Sequence, residues 1–471
     1  RCTHPSPMIP TPTVRRDGRR PTCCRILASS LLLALFGHFA DSADAADWET
    51  EADLSTALRY NDNPGFLADG QDPEGALASV SSAQAGFAYR TANSETLIQP
   101  KIQRIYYFDE DFSELNQTDY LFSASTNTLR RRFTWGVDFS YADRGILTAE
   151  DVDPDDPTQG GDANFLAAND RVETLVVAPS INWQLTPRDR VSVMLNYQDS
   201  DFDRDFTLRS DFENYGGSIT YDRQLTQRQS LGFLASRTNL DSTRLVGVPV
   251  CDNGELPGLL PIGLPDCPPD NILVFPTQLA VADFVNDSKG TSLRLVYNFN
   301  FSEQLQLSAQ IGRQNTDIVS GLVLPVDDQL TQDQFRSTEY NVRLTKPGQR
   351  SNLLVNLSRI VQPTSFGQPA DTVRLSTSFT YRLTRLMTLE LTGVAFQQDL
   401  RSAAIVQQNE FYRGDLAIRW RLARNWSVIS TYTYRYQKQD LTRFEGSALP
   451  VRSLLDRRGN SGSLALRYRF R

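Results

Sequence analysis

Histidine is nearly missing from this chain: 2 in 471 residues, His4 and His38, both close to its start. A Ser-His-Asp or Cys-His constellation, an imidazole zinc site and an Asp-His protease pair all need a group that titrates near neutral pH. None can be assembled from the rest of the sequence, so it is read as no enzyme, with no catalytic residues, no metal site and no cofactor. Cysteine is also sparse. Of 5, Cys2, Cys23 and Cys24 lie in the opening segment, which leaves Cys251 and Cys267. That pair reads as a loop disulfide in an oxidising compartment, with a reactive thiol pair as the alternative. Long apolar runs are absent as well. The longest, Ile26 to Ala40, spans about 15 residues where a membrane-crossing helix needs roughly 20. Positive charge is in deficit, with 48 Lys and Arg against 56 Asp and Glu and a net charge of −8, which argues against a nucleic-acid partner.

The one apolar run has the flanks of a Sec-type signal peptide. Arg15, Arg16, Arg19, Arg20 and Arg25 precede it, and Ala43-Asp44-Ala45 follows as a small-residue cleavage pattern. Cleavage is expected after Ala45 or Ala46, giving a leader over 1–45 and a mature domain over 46–471. Met8 is read as the initiator, with the residues before it upstream of the start. No cysteine stands at the cleavage point, so no lipid anchor is expected. The leader holds six arginines and three aspartates, and its removal takes the charge from −8 to −11.

Beyond Glu49 the dominant signal is period-two alternation, sustained over about 8 to 10 residues at a time. In the final segment Leu464, Leu466, Tyr468 and Phe470 stand opposite Ser463, Ala465, Arg467 and Arg469. Similar runs include Leu293, Leu295, Tyr297, Phe299 and Phe301, and Phe133, Trp135, Val137, Phe139 and Tyr141. The count from Leu54 onward is about 18 strands, with 16 as the alternative; an even number closes an antiparallel barrel with both ends on one side. Ile98 to Phe108 is the weakest segment, because the alternation breaks at Arg104.

The connections alternate too. Short turns repeat a Leu-Thr pattern in Leu185-Thr186-Pro187-Arg188-Asp189, Leu225-Thr226-Gln227-Arg228-Gln229 and Leu383-Thr384-Arg385, with Leu422-Ala423-Arg424-Asn425 as a variant. Long connections rich in Asp, Gly and Pro are expected over 61–78, 142–169, 240–288, 315–333 and 439–458. Short turns on one rim and long loops on the other fit the periplasmic and extracellular sides of an outer-membrane barrel. A secreted propeller would pack four short strands into each 40-residue period, whereas about two long ones fit here. Trp183, Tyr221, Tyr381 and Trp420 fall just before short turns, where interfacial aromatics belong.

These features predict an all-β, up-and-down transmembrane barrel. A lumen of this width cannot be filled by side chains, so the apolar face must point outward into lipid, where closure alone satisfies every backbone amide. The last strand supplies an assembly signal of the kind recognised by the barrel-assembly machinery: Ser463, Ala465, Tyr468 and Phe470, with alanine where glycine is usual and Arg471 after the last aromatic. The mature chain resembles the β-barrel porin 2 family. The resemblance is carried by the strand Leu54 to Tyr60 leading into Tyr60-Asn61-Asp62-Asn63-Pro64, by the turn repeat and by the overall layout. It implies an outer-membrane location in a Gram-negative bacterium and an association with exopolysaccharide or capsule export. Outer-membrane lipid and lipopolysaccharide are expected partners.

On the faces so assigned, Arg374, Arg382, Arg419, Arg421, Arg435, Arg467 and Arg469 point inward from strands 14 and 16 to 18, against fewer acids, chiefly Asp415 and Glu390. Such a basic wall would favour anionic solutes, acidic saccharides among them; pairing with loop carboxylates is the plainer alternative. The segment Val246 to Ala280, with seven prolines and the cysteine pair, is expected either to fold inward as a constriction or to cover the outer mouth. The acidic run Glu150 to Asp156 reads as a solvated loop tip, with calcium binding as the alternative. Two functions stand: a pore for hydrophilic solutes, and a structural or adhesive barrel with a plugged lumen that acts through its acidic loops.

Overall fold

The computed structural model describes residues 47–65, 74–145, 171–202, 211–248, 280–323, 328–363, 369–401, 405–443 and 451–470, with four two-residue strands between 250 and 274. Residues 1–46, Glu150 to Asp156 and Cys267 lie outside them, and the Cys251 side chain is likewise not described. The signal-peptide, acidic-run and disulfide expectations therefore fall outside the described residues.

Eighteen long strands form one antiparallel sheet. In chain order they are β1 Asp47–Asn61, β2 Ala76–Arg90, β3 Ser94–Tyr107, β4 Gln117–Arg130, β5 Phe133–Gly145, β6 Arg171–Gln184, β7 Asp189–Phe202, β8 Asp211–Gln224 and β9 Gln229–Val248. The second half comprises β10 Ala280–Ser302, β11 Leu305–Val323, β12 Asp328–Pro347, β13 Ser351–Pro363, β14 Pro369–Arg382, β15 Met387–Arg401, β16 Ile405–Arg421, β17 Trp426–Arg443 and β18 Val451–Phe470. Each pairs with its neighbours in sequence, and β18 returns to β1 in register from Ala52↔Phe470 to Asn61↔Ser461. The sheet is a closed barrel of 18 strands, which eliminates 16.

The barrel inverts the soluble pattern. Leu58, Leu293, Ile311 and Leu464 are each more than half exposed on its outer face, while Asn286, Thr316, Gln398 and Gln437 are buried on the inner one. An apolar exterior this extensive is incompatible with water and is what hydrocarbon requires. The single inner apolar cluster described around β2 and β3 is Ala76, Ala78, Ile105 and Tyr107. A short 3-10 helix, Glu110–Leu115, covers it with Phe112 and Leu115, an element that the sequence pattern did not announce.

The Leu-Thr repeat has a physical basis. In the β6–β7 turn the Thr186 hydroxyl accepts from the Arg188 and Asp189 amides at 3.2 and 3.0 Å, and in the β14–β15 turn Thr384 accepts from the Leu386 and Met387 amides at 3.2 and 3.0 Å. The side chains of Leu185, Leu225, Leu383 and Leu422 stay exposed at the rim. Thr186 and Tyr221, by donating their hydroxyls, hold the Asp189 carboxyl below its ordinary pKa. Where alanine replaces threonine, backbone bonds from Leu422 and Ala423 to the Trp426 carbonyl, at 3.0 and 3.3 Å, close the same turn.

The expected long connections need correction. Residues 240–248 and 280–288 continue β9 and β10 as a paired ladder, 315–323 and 328–333 continue β11 and β12, and 439–443 and 451–458 continue β17 and β18. Strand length accordingly varies, from 13 residues in β5 to 23 in β10.

Candidate functional site

The short-turn rim gathers positive charge where β15 to β18 end. Arg419 and Arg421 end β16, and Arg467 and Arg469 end β18. Ser427 of β17 lies between them, opposite Arg421 on one side and Arg467 on the other. A short side chain flanked by long ones leaves a recess. Arg385 and Arg424, from the two adjoining turns, complete a cavity of about 190 Å³ with six arginines in its lining.

Two carboxylates offset this charge in part. Asp53 on β1 accepts from Arg467 Nη2 at 2.7 Å and from Arg469 Nε at 3.1 Å. Glu390 on β15 stands 3.6 Å from Arg419 Nη2, a loose pair. Arg385, Arg421 and Arg424 form no ion pair among the described residues. The cavity is therefore cationic, with the guanidinium forks that suit carboxylate and phosphate oxygens.

Four of the seven predicted wall arginines, Arg419, Arg421, Arg467 and Arg469, thus meet at one place. Arg382 ends β14, opposite Thr388, one of the cavity's lining residues. Arg374 sits farther from this rim, opposite Phe396, which stacks on Phe411 with ring centroids 4.9 Å apart. Arg435 lies opposite Arg413 across the β16–β17 ladder. Asp415 is engaged by Arg413, a residue outside the predicted set, through Nε at 2.9 Å and Nη2 at 3.0 Å, and by the Thr392 and Thr433 hydroxyls. Arg413 has the same inward parity as Arg419, so the alternation could have found it. Arg385 and Arg424 carry no such signal, because turn residues belong to no strand face. Asp53 was missed because closure alone brings it to β18.

The last strand places Ser463 and Ala465 inward, opposite Thr431 and Ile429. Tyr468 and Phe470 form an edge-to-face pair at 4.4 Å, and Trp426 tilts onto Tyr468 at 4.7 Å. The motif Asn61-Asp62-Asn63 locks the other end of the same seam. The Asp62 carboxylate accepts from the Asn460 amide at 2.6 Å and its side-chain nitrogen at 2.8 Å, and Asn63 donates to the Arg458 carbonyl at 2.9 Å.

No family model and no curated protein matches this chain. Among solved structures, the siderophore receptor PirA from Acinetobacter baumannii is similar at 8% identity and a TM-score of 0.44, covering 90% of this chain and 80% of that one. The ferric citrate transporter FecA in its unliganded form gives 7% identity, a TM-score of 0.46 and coverage of 89% and 78%. The alcaligin outer-membrane receptor FauA from Bordetella pertussis gives 9%, 0.38, and 90% and 76%.

Proposed function

We propose that this outer-membrane barrel passes hydrophilic solutes through its lumen and that its periplasmic mouth selects for anions, acidic saccharides among them. The observation that carries the reading is the cavity of six arginines, three of them without an ion pair among the described residues. A unit charge acts on a passing ion at roughly 10 Å with about 0.4 kcal/mol in water, and 0.1 M salt reduces this further. Removing three such charges changes local anion concentration by roughly two- to four-fold.

Planar-bilayer reversal potentials test this directly. The wild-type barrel is expected to be anion-selective, and a triple variant with Arg385, Arg421 and Arg424 replaced by alanine is expected to lose two- to four-fold in anion over cation permeability. Cation selectivity that the triple variant leaves unchanged would refute the reading. One observation favours the alternative of a plugged, adhesive barrel: the inward side chains Gln398, Asn409 and Gln437 have 0% exposure, so solvent does not reach that level of the wall. Single-channel traces separate the two, since a plugged barrel gives no steps.

A further inference from the structure

The outer face carries a groove where the sheet closes. Its floor is made of small side chains, Thr56 on β1 with Ser81 and Ala83 on β2, and its walls of Ile102, Leu466 and Phe470; it encloses about 920 Å³. The Thr56 and Ser81 hydroxyls hydrogen-bond to each other at 3.3 Å, which lets two polar groups face hydrocarbon. At one end stands Arg104, the residue at which the alternation breaks. Its cross-strand neighbours are Ser81 and Thr118, both uncharged, and it forms no ion pair among the described residues.

Strand geometry fixes its depth. From Ser94, at the periplasmic end of β3, ten steps of about 3.4 Å on a strand tilted by 35–45° climb roughly 25 Å, the height of the apolar band of such barrels. Arg104 therefore lies in the outer half of the hydrocarbon, with its long side chain in reach of the outer edge. Tyr106, next on the same face, meets Phe108 edge-on at 5.8 Å and continues the interfacial aromatic level. An exposed guanidinium near this boundary snorkels to the headgroup layer, where lipid phosphates offer it an anionic partner.

We propose that this groove binds one lipopolysaccharide molecule of the outer leaflet, with acyl chain laid along Thr56, Ser81 and Ala83 and a lipid A phosphate on Arg104. Both ends of the ligand match the groove: hydrocarbon below, a phosphate where the guanidinium fork stands. A second copy of the chain fits less well, because Ser81 and Thr118 beside Arg104 offer no carboxylate and the charge would be buried unpaired. The inference rests on the barrel's membrane placement and is independent of what passes through the lumen.

The test is native mass spectrometry of the full chain extracted in mild detergent, followed by rebinding of purified lipopolysaccharide or phosphatidylglycerol in mixed micelles. The wild type is expected to retain one lipopolysaccharide. Arg104→Gln and the groove-filling Ala83→Trp are expected to reduce retention at least five-fold, and Arg104→Lys to keep most of it. Heat-modifiable mobility on gels reports folding of every variant; should Ala83→Trp fail it, Arg104→Gln and Arg104→Lys carry the test. Equal retention by wild type and Arg104→Gln overturns the proposal. So does preference for phosphatidylglycerol, or a dimer of the chain that Ala83→Trp abolishes.

Discussion

Asp53 is the residue on which most converges. One carboxylate serves two arginines from the far end of the chain, and its removal would leave both partly buried guanidinium groups uncompensated. Hydrogen bonds to charged groups contribute about 1.5–3 kcal/mol each where they are removed one-sidedly. Asp53→Asn is expected to destabilise the barrel by about 2 kcal/mol, read as a lower urea midpoint for loss of heat-modifiable mobility. The same change should raise anion selectivity, because it frees Arg467 and Arg469; a fall would contradict the role assigned to the arginine-lined cavity. Destabilising charge also occurs. Asp199, Glu213, Asp241 and Asp287 stand directly opposite one another in a row across β7 to β10. Like charges so placed cost roughly 0.2–1 kcal/mol per pair. Asp287→Asn is therefore expected to stabilise the barrel by about 0.5 kcal/mol at neutral pH, measured by the same urea midpoint. The inward parity of Arg419 and Arg467 is local and could be read from the sequence. Glu390, the loose partner of Arg419, shares that parity and was legible too; Asp53 was not, because it is 414 residues from Arg467 and only the closing register brings them together.

At the scale of elements, alternation identified the strands well and their ends poorly, for one reason. Alternation records lipid on one side and water on the other. Above the hydrocarbon both faces meet water and the alternation stops, so 280–288 or 451–458 read as loop although their ladders continue unbroken. The weak β3 forms despite Pro100, which has no N–H to donate; the β2–β3 ladder skips the pairs between Gln84↔Lys101 and Phe87↔Ile98, and β4 supports the strand from its other side. The turns offer a graded test. Thr384→Ala removes two side-chain bonds but leaves the backbone closure seen at Ala423, so a loss of only about 0.5–1 kcal/mol is expected. At the Asp62 clamp a backbone bond also remains, from the Asp62 amide to the Asn460 carbonyl at 3.0 Å, but both bonds that Asn460 donates to the carboxylate are lost. Asp62→Ala is expected to speed hydrogen exchange at Asn61 and Ser461, the last pair of the seam, with little change at Ala52 and Phe470 on the opposite rim.

For the whole molecule, strand number was legible because each strand must cross the same bilayer, and each therefore leaves a signal of similar length. Strand height was not, since nothing in lipid dictates how far a ladder continues into water. The difference is large. With about 3.4 Å per residue and a tilt near 40°, the 23 residues of β10 reach roughly 60 Å and the 13 of β5 roughly 34 Å. Both start from the same periplasmic level, so all of the excess stands on the cell's exterior. Among the described residues the outer rim rises twice, over β9 to β12 and again over β16 to β18. On a surface crowded with sugar chains, the tall flanks of β9 to β12 and β16 to β18 would shield approach from two sides, so that large molecules meet strand ladders of two heights around one mouth.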